Sequence, residues 1–187
     1  RVLLGAEVDA NPHERDGRLL LADLSGIDVV FGSTHFLPAV PALWYEVPDL
    51  PEDQRARIYR DWMAWAMHVA ANPSVDVLSH PGVEMASIGA IQAFTGPVLD
   101  DFEKLLQVCK KYQTAFELNE LFANKVGPAL CESYTNVIAL ARDLEVSLSI
   151  GSDSHQLDRI GQYPWVQSVI EKLGLGPEHY FHPQRKE

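Results

Sequence analysis

The chain has little cysteine, few cations and no long apolar run, and each shortage closes off a class of protein. Only Cys109 and Cys131 occur in 187 residues, too few for a disulfide framework or a Cys-rich structural zinc site. Both fall in helical-looking segments, and two reduced thiols of an intracellular protein are the expectation. Lys and Arg number 15 against 26 Asp and Glu, a net charge of −11 with a pI near 5.0. That balance argues against nucleic acid as a partner and against an anionic membrane surface. No stretch approaches the length of a membrane span and the N-terminus carries no signal-peptide pattern, so a cytoplasmic location is expected. P-loop signatures and nucleophilic Ser or Cys motifs are also missing.

What is present is 47% hydrophobic content, enough for one sizeable core over residues 1–187 and short for two domains. Five apolar runs recur, each ending in a polar group: Val2 to Val8, Asp28 to His35, Val75 to Gly82, Thr114 to Asn119 and Val146 to Asp153. Their length and β-branched content suit strands buried on both faces. Helical spacing runs through Glu52–Ala71 (Ile58, Trp62, Trp65, Val69), Pro97–Tyr112, Pro128–Leu144 and Trp165–Leu173. Residues 9–27 read as a turn-rich connection. The alternation predicts an α/β fold with a parallel sheet or barrel.

Reactive residues sit where such folds place function. Glu7, His35, His80, Asp153 and His155 all fall at the C-terminal ends of predicted strands. In Gly151-Ser152-Asp153-Ser154-His155 a strand delivers a carboxylate and an imidazole to one lip. Mixed oxygen and nitrogen donors without sulfur suit Zn²⁺, Mn²⁺ or Fe²⁺ in a hydrolytic site. Arg159, four residues past His155, is a candidate phosphate anchor or a solvated loop cation. Asn119 could contact substrate or cap a turn, and Glu117 could face the site or pair with a base. His13, His68, His179 and His182 lie in ordinary settings, and Trp62 with Trp65 reads as core. The Pro-rich segment 36–51, directly after His35, is the expected source of substrate selectivity.

The ordered series Gly5-Ala6-Glu7, Gly32-Ser33-Thr34-His35-Phe36-Leu37, Ser79-His80-Pro81-Gly82, Glu117-Leu118-Asn119 and Gly151-Ser152-Asp153-Ser154-His155 resembles the polymerase and histidinol phosphatase (PHP) superfamily of metal-dependent phosphoesterases. The resemblance implies a distorted (β/α)₇ TIM-like barrel with up to three divalent ions at its strand ends. It implies that Glu7 bridges two ions, His35 and His80 complete the second, Asp153 binds the first and His155 the third. It further implies hydrolysis of a small phosphorylated metabolite, such as a histidinol-phosphate-like monoester, by metal-activated water. The alternatives are a non-catalytic PHP scaffold and a phosphodiesterase or nuclease of the same superfamily. The family's opening His-x-His segment has no counterpart here, so about five of seven strands are expected. An N-terminally incomplete barrel, completed by a missing segment or by homo-oligomerisation, is the corresponding expectation.

Overall fold

A computed structural model describes residues 2–37, 42–47 and 50–183. Five strands form one parallel sheet: β1 (Gly5–Asp9), β2 (Val29–Ser33), β3 (Val77–Leu78), β4 (Ala115–Asn119) and β5 (Leu148–Gly151). Their spatial order is their sequence order, β1-β2-β3-β4-β5. Each crossover therefore steps the chain one strand along in the same direction. A doubly wound sheet would reverse that order partway, and this one does not.

The helices are α1 (Glu52–Ala70), α2 (Val83–Ser87), α3 (Pro97–Tyr112), α4 (Leu121–Lys125), α5 (Pro128–Asp143) and α6 (Pro164–Leu173). Proline opens α3, α5 and α6 at the first turn, where its missing N–H costs nothing. Left-handed Gln113 and Gly174 close α3 and α6. The four long helices match the predicted spans to within a residue or two; α2 and α4 are too short for their periodicity to show. The connection over 10–28 contains no named helix, as expected.

All the long helices bury their apolar stripes on one face of the sheet. Ile58, Trp62, Trp65 and Val69 of α1 are each at most 2% exposed and join Val8, Val30, Leu78, Phe116 and Leu118 in the main core. The opposite face carries a small separate cluster of Val29, Val77 and Ala115, flanked by Leu3, Phe31 and Phe181. Strand alternation sorts the side chains: Val30 faces the helices and Val29 faces away, as do Phe116 and Ala115. The same alternation puts Glu7, two residues beyond Gly5, on the face away from the helices, and Glu117 beyond Ala115 likewise.

β3 is much shorter than the predicted run Val75–Gly82. Before it, Asp76 turns its carboxylate onto the Val30 N–H at 2.8 Å. After it, His80 adopts φ 29° and Gly82 φ 97°, which take the chain out of the ladder. Gly82 could not carry a side chain freely, since a Cβ would sit 3.0 Å from the Phe102 ring. β1 also begins later than predicted because the Leu4 N–H is taken by the Asp28 carboxylate, 3.0 Å away. Both cysteines are free, and burial pushes the Cys109 thiol up to about 12. Among the described residues no helix is long and apolar enough to cross a membrane.

Candidate metal centre at the strand ends

Three side chains from three strand ends converge. Glu7 comes from β1, His35 from just beyond β2 and His80 from just beyond β3. Their ligand atoms all lie within 4.8 Å of one another. His80 Nε2 is 3.0 Å from Glu7 Oε1 and 3.1 Å from His35 Nε2, while His35 Nε2 is 3.5 Å from Glu7 Oε1. The two imidazoles stack with centroids 4.9 Å apart. One carboxylate oxygen and two imidazole nitrogens facing a common point is a donor set that suits a borderline divalent ion.

Each imidazole has a carboxylate at its far nitrogen. His35 Nδ1 lies 3.0 Å from Asp9 Oδ1, and that oxygen also accepts from Ser33 Oγ at 3.2 Å and the His35 N–H at 3.4 Å. His80 Nδ1 lies 3.0 Å from Glu84 Oε1 of α2, at ion-pair distance. A carboxylate at Nδ1 favours the tautomer that leaves Nε2 with its lone pair free, the form a metal needs. Glu84 is fully buried and its oxygens have no hydrogen-bond donor among the described residues. A carboxylate is costly in such a place unless charge beside it compensates.

The backbone of His80 is held as firmly as its ring. Its N–H donates to Glu117 Oε2 at 2.7 Å, and Asn119 Nδ2 donates to the same oxygen at 3.1 Å. Asn119 Oδ1 in turn accepts the Leu121 N–H at 2.7 Å. Asn119 thus caps the turn after β4 and braces Glu117, and Glu117 pairs with the site from behind. Left-handed φ values at both His80 and Asp153 (46°) mark the backbone strain that recurs at functional positions.

The electrostatics follow from this packing. Burial works to raise the Glu7 carboxyl, but the His80 hydrogen bond and the charges of both imidazoles outweigh it and bring it down. For Asp9 the same contest, against the His35 hydrogen bond, also ends below the usual range. Burial works to lower His80, yet Glu84, Glu7 and Glu117 carry it well above an ordinary histidine. His35 is raised too, its burial being outweighed chiefly by Asp9. Burial lifts Glu117 and Asp153 above the usual carboxylate range.

Raised histidines mean that an incoming cation must displace protons. Titrating Mn²⁺ into metal-free protein near pH 7 should therefore release protons, with an apparent enthalpy that differs between HEPES and Tris. Release should shrink as pH rises through the raised imidazole values. An enthalpy independent of buffer would show that His35 and His80 are not displaced. Without metal, the stabilisation these two histidines contribute is complete below their unfolded value near 6.5 and lost as pH rises through the raised folded values.

Asp153 shares a cavity of about 290 Å³ with Glu7, His80, Glu117 and Asn119. His155 stands apart: its side chain is 82% exposed, and its Nδ1 is 3.0 Å from the carbonyl of Asp153. Arg159, in the short turn Leu157–Arg159, is exposed and faces a larger neighbouring cleft. Of the sequence-predicted site residues, the fold thus brings Glu7, His35 and His80 into one cluster with Asp153 at its edge, and leaves His155 and Arg159 on the outer loop. Asp9 and Glu84 escaped sequence reading. Asp9 had one available signal, its position two residues past Glu7 on the same strand face; Glu84 had only the His-x-x-x-Glu spacing of a helical turn. His68 and His182 bind backbone carbonyls, as ordinary histidines do. Residues 38–41 and 48–49 of the expected selectivity segment lie outside the described residues.

No protein-family profile matches the chain. Among curated proteins, it is 25% identical over 176 residues to a "probable phosphatase" of Thermoanaerobacter sp. (strain X514), covering 93% of this chain and 60% of that protein. It is 23% identical over 176 residues to a probable phosphatase of Caldanaerobacter subterraneus subsp. tengcongensis, covering 91% of this chain and 58% of the relative. A probable phosphatase of Clostridium novyi (strain NT) is 23% identical over 185 residues, 99% of this chain and 65% of its own length. The chain thus spans roughly three fifths of the length of the curated relatives it matches.

Proposed function

We propose that this chain carries the metal centre of a PHP-type phosphatase, a metal-dependent hydrolase of small phosphomonoesters. The observation that carries the reading is the convergence of His35 Nε2, His80 Nε2 and Glu7 Oε1, with a carboxylate behind each imidazole. Two further facts support it: the relatives' names, and a sheet whose strands run in sequence order with helices on one face, as an arc of a (β/α) barrel would.

Glu7, His35 and His80 would hold a divalent ion of the Zn²⁺, Mn²⁺ or Fe²⁺ type, and the donor set fits one. Asp153 would add a carboxylate from the same cavity, and His155, on the loop it begins, is the remaining ligand of the proposed set. Ions bound there would lower the pKa of a coordinated water and neutralise charge on a phosphoryl group. The chain's own contribution is positional. Asp9 and Glu84, at the Nδ1 atoms, aim both Nε2 atoms inward and would leave their lone pairs to an ion once it has displaced the protons, and Glu117 fixes the strained turn that carries His80.

The test is hydrolysis of p-nitrophenyl phosphate by the purified chain, by the same chain after chelation, and after restoring Mn²⁺ or Zn²⁺. Metal content is measured in parallel by mass spectrometry. Phosphate release that disappears with the metal and returns with it is expected. Metal bound in a folded protein with no turnover of any phosphomonoester would overturn the catalytic reading and favour a scaffold.

A further inference from the structure

Beside the metal cavity lies a larger cleft of about 600 Å³, and Asp153 lines both. One wall is the end of α4 with Asn124 and Lys125; the other is the loop after β5, with His155, Gln156 and Arg159. Lys125 and Arg159 are both exposed, and among the described residues neither has a carboxylate partner. Both therefore face the cleft with their charge uncompensated by a carboxylate, whereas Arg18, Lys104, Lys110 and Lys172 form ion pairs elsewhere on the surface. Lys125 is nonetheless positioned: its Nζ lies 5.6 Å from the centroid of the Trp44 ring, a cation–π contact with the loop that follows His35. That contact ties the cleft wall to the segment carrying one of the clustered imidazoles.

The geometry points to a second anion subsite in this cleft, where Lys125, with Arg159 opposite, receives an anionic group on the leaving-group side of the substrate. This rests on the phosphatase reading for what occupies the neighbouring cavity. A phosphoryl group beside Asp153 leaves the rest of a small substrate to extend into the cleft, because Asp153 is the junction of the two spaces. The cleft offers that remainder amides, hydroxyls, the His155 imidazole and two cations rather than an aromatic slot; of its two carboxylates, Asp153 belongs to the metal cavity and Glu120 has both oxygens engaged by the Trp165 and Val166 N–H groups. The fitting substrate class is a small phosphorylated acid or a bisphosphate, in preference to a neutral phosphoalcohol or an aryl phosphate. Directional hydrogen bonds from a cation to such an anion are worth about tenfold in affinity or more.

The experiment compares two ligands whose P–C bonds are not phosphomonoesters, so that binding is read without turnover. Dissociation constants of 3-phosphonopropionate and propylphosphonate are measured by calorimetry with the Mn²⁺-loaded chain. They are repeated with Lys125→Gln and Lys125→Arg, both at an exposed position that tolerates exchange. The native chain should prefer 3-phosphonopropionate by about tenfold; the preference should fall to within about twofold in Lys125→Gln and survive in Lys125→Arg. Equal affinity for the two ligands in the native chain overturns the subsite. So does a preference unchanged in Lys125→Gln, which would mean that the metal alone reads the carboxylate. The two readings fail separately: phosphomonoester turnover without the preference removes only the subsite, whereas the Lys125-dependent preference without turnover of any phosphomonoester removes only the phosphatase.

Discussion

His80→Ala should leave the chain without its tightly held divalent ion and cut phosphomonoester hydrolysis by a factor on the order of 10³, since several kcal/mol of charge stabilisation go with the ion. The residue is the hub of the cluster. Its Nε2 is within 3.1 Å of both Glu7 Oε1 and His35 Nε2, its Nδ1 faces Glu84, and its N–H anchors Glu117. Removing it subtracts one of three donors and leaves Glu84 buried with no counter-charge, a fault that costs roughly 3–5 kcal/mol in comparable settings. The variant could therefore lose metal by unfolding. Glu7→Gln guards against that confusion: the Glu7 side chain is 40% exposed, and the amide keeps its shape while losing the anionic donor. Metal content by mass spectrometry, near-ultraviolet circular dichroism and hydrolysis rate should be read on both. Native-like folding with metal lost in Glu7→Gln is the expected result. Retention of metal and normal turnover in both variants would remove Glu7 and His80 from the site.

Gly151→Ala should destabilise the protein by about 3 kcal/mol, although it adds only a methyl group on a strand. Gly151 pairs with Asn119 in the β4–β5 ladder, and a Cβ there would fall on Glu117 Oε1 and within 3.0 Å of its Cδ. Glu117 is 6% exposed and cannot swing into water without giving up the His80 and Asn119 hydrogen bonds. For a chain of this size the loss corresponds to a fall in melting temperature of roughly 6–12 °C. Because the cost arises from one pair, Glu117→Ala combined with Gly151→Ala should cost clearly less than the sum of the two single changes. Additive effects in that cycle would mean that Gly151 is needed for something other than the space Glu117 occupies. Metal affinity should fall in the single variant as well, because Glu117 holds the left-handed turn that presents His80.

The Gly151 case also shows where sequence reading stops. The run Gly151-Ser152-Asp153-Ser154-His155 announced a strand end with ligands, and β5 does end there. Nothing local could show that the glycine is needed by a glutamate from another strand, 34 residues earlier in the chain. Glu120 is a similar case: sequence reading singled out nothing there, yet its two oxygens take the Trp165 and Val166 N–H groups at 3.2 and 2.9 Å and so cap α6. Glu84, which sequence reading passed over, is fully buried behind His80. For Gly151 and Glu120 the partner is remote in sequence, and for Glu84, one helical turn from His80, it is the burial that remote elements impose; composition and periodicity report only on neighbours.

The strand–helix alternation, the long helices and the strand ends that carry Glu7, His35, His80 and Asp153 are written in the amino-acid order. These are legible because the 2.0 and 3.6 residue periods of buried positions, and the proline and glycine punctuation around them, are properties of short segments. The folded arrangement sets the strands in chain order with the helices on one face, which is what draws three strand ends to one point. It also decided that His155 faces outward, that Asp9 and Glu84 stand behind the imidazoles, and that Asp153 joins two cavities. Apart from the His80–Glu84 pair, one helical turn apart, those are distances between side chains tens of residues apart, set by sheet register and by the strained turns at His80 and Asp153. A one-dimensional pattern contains the residues for such contacts but not the geometry that pairs them.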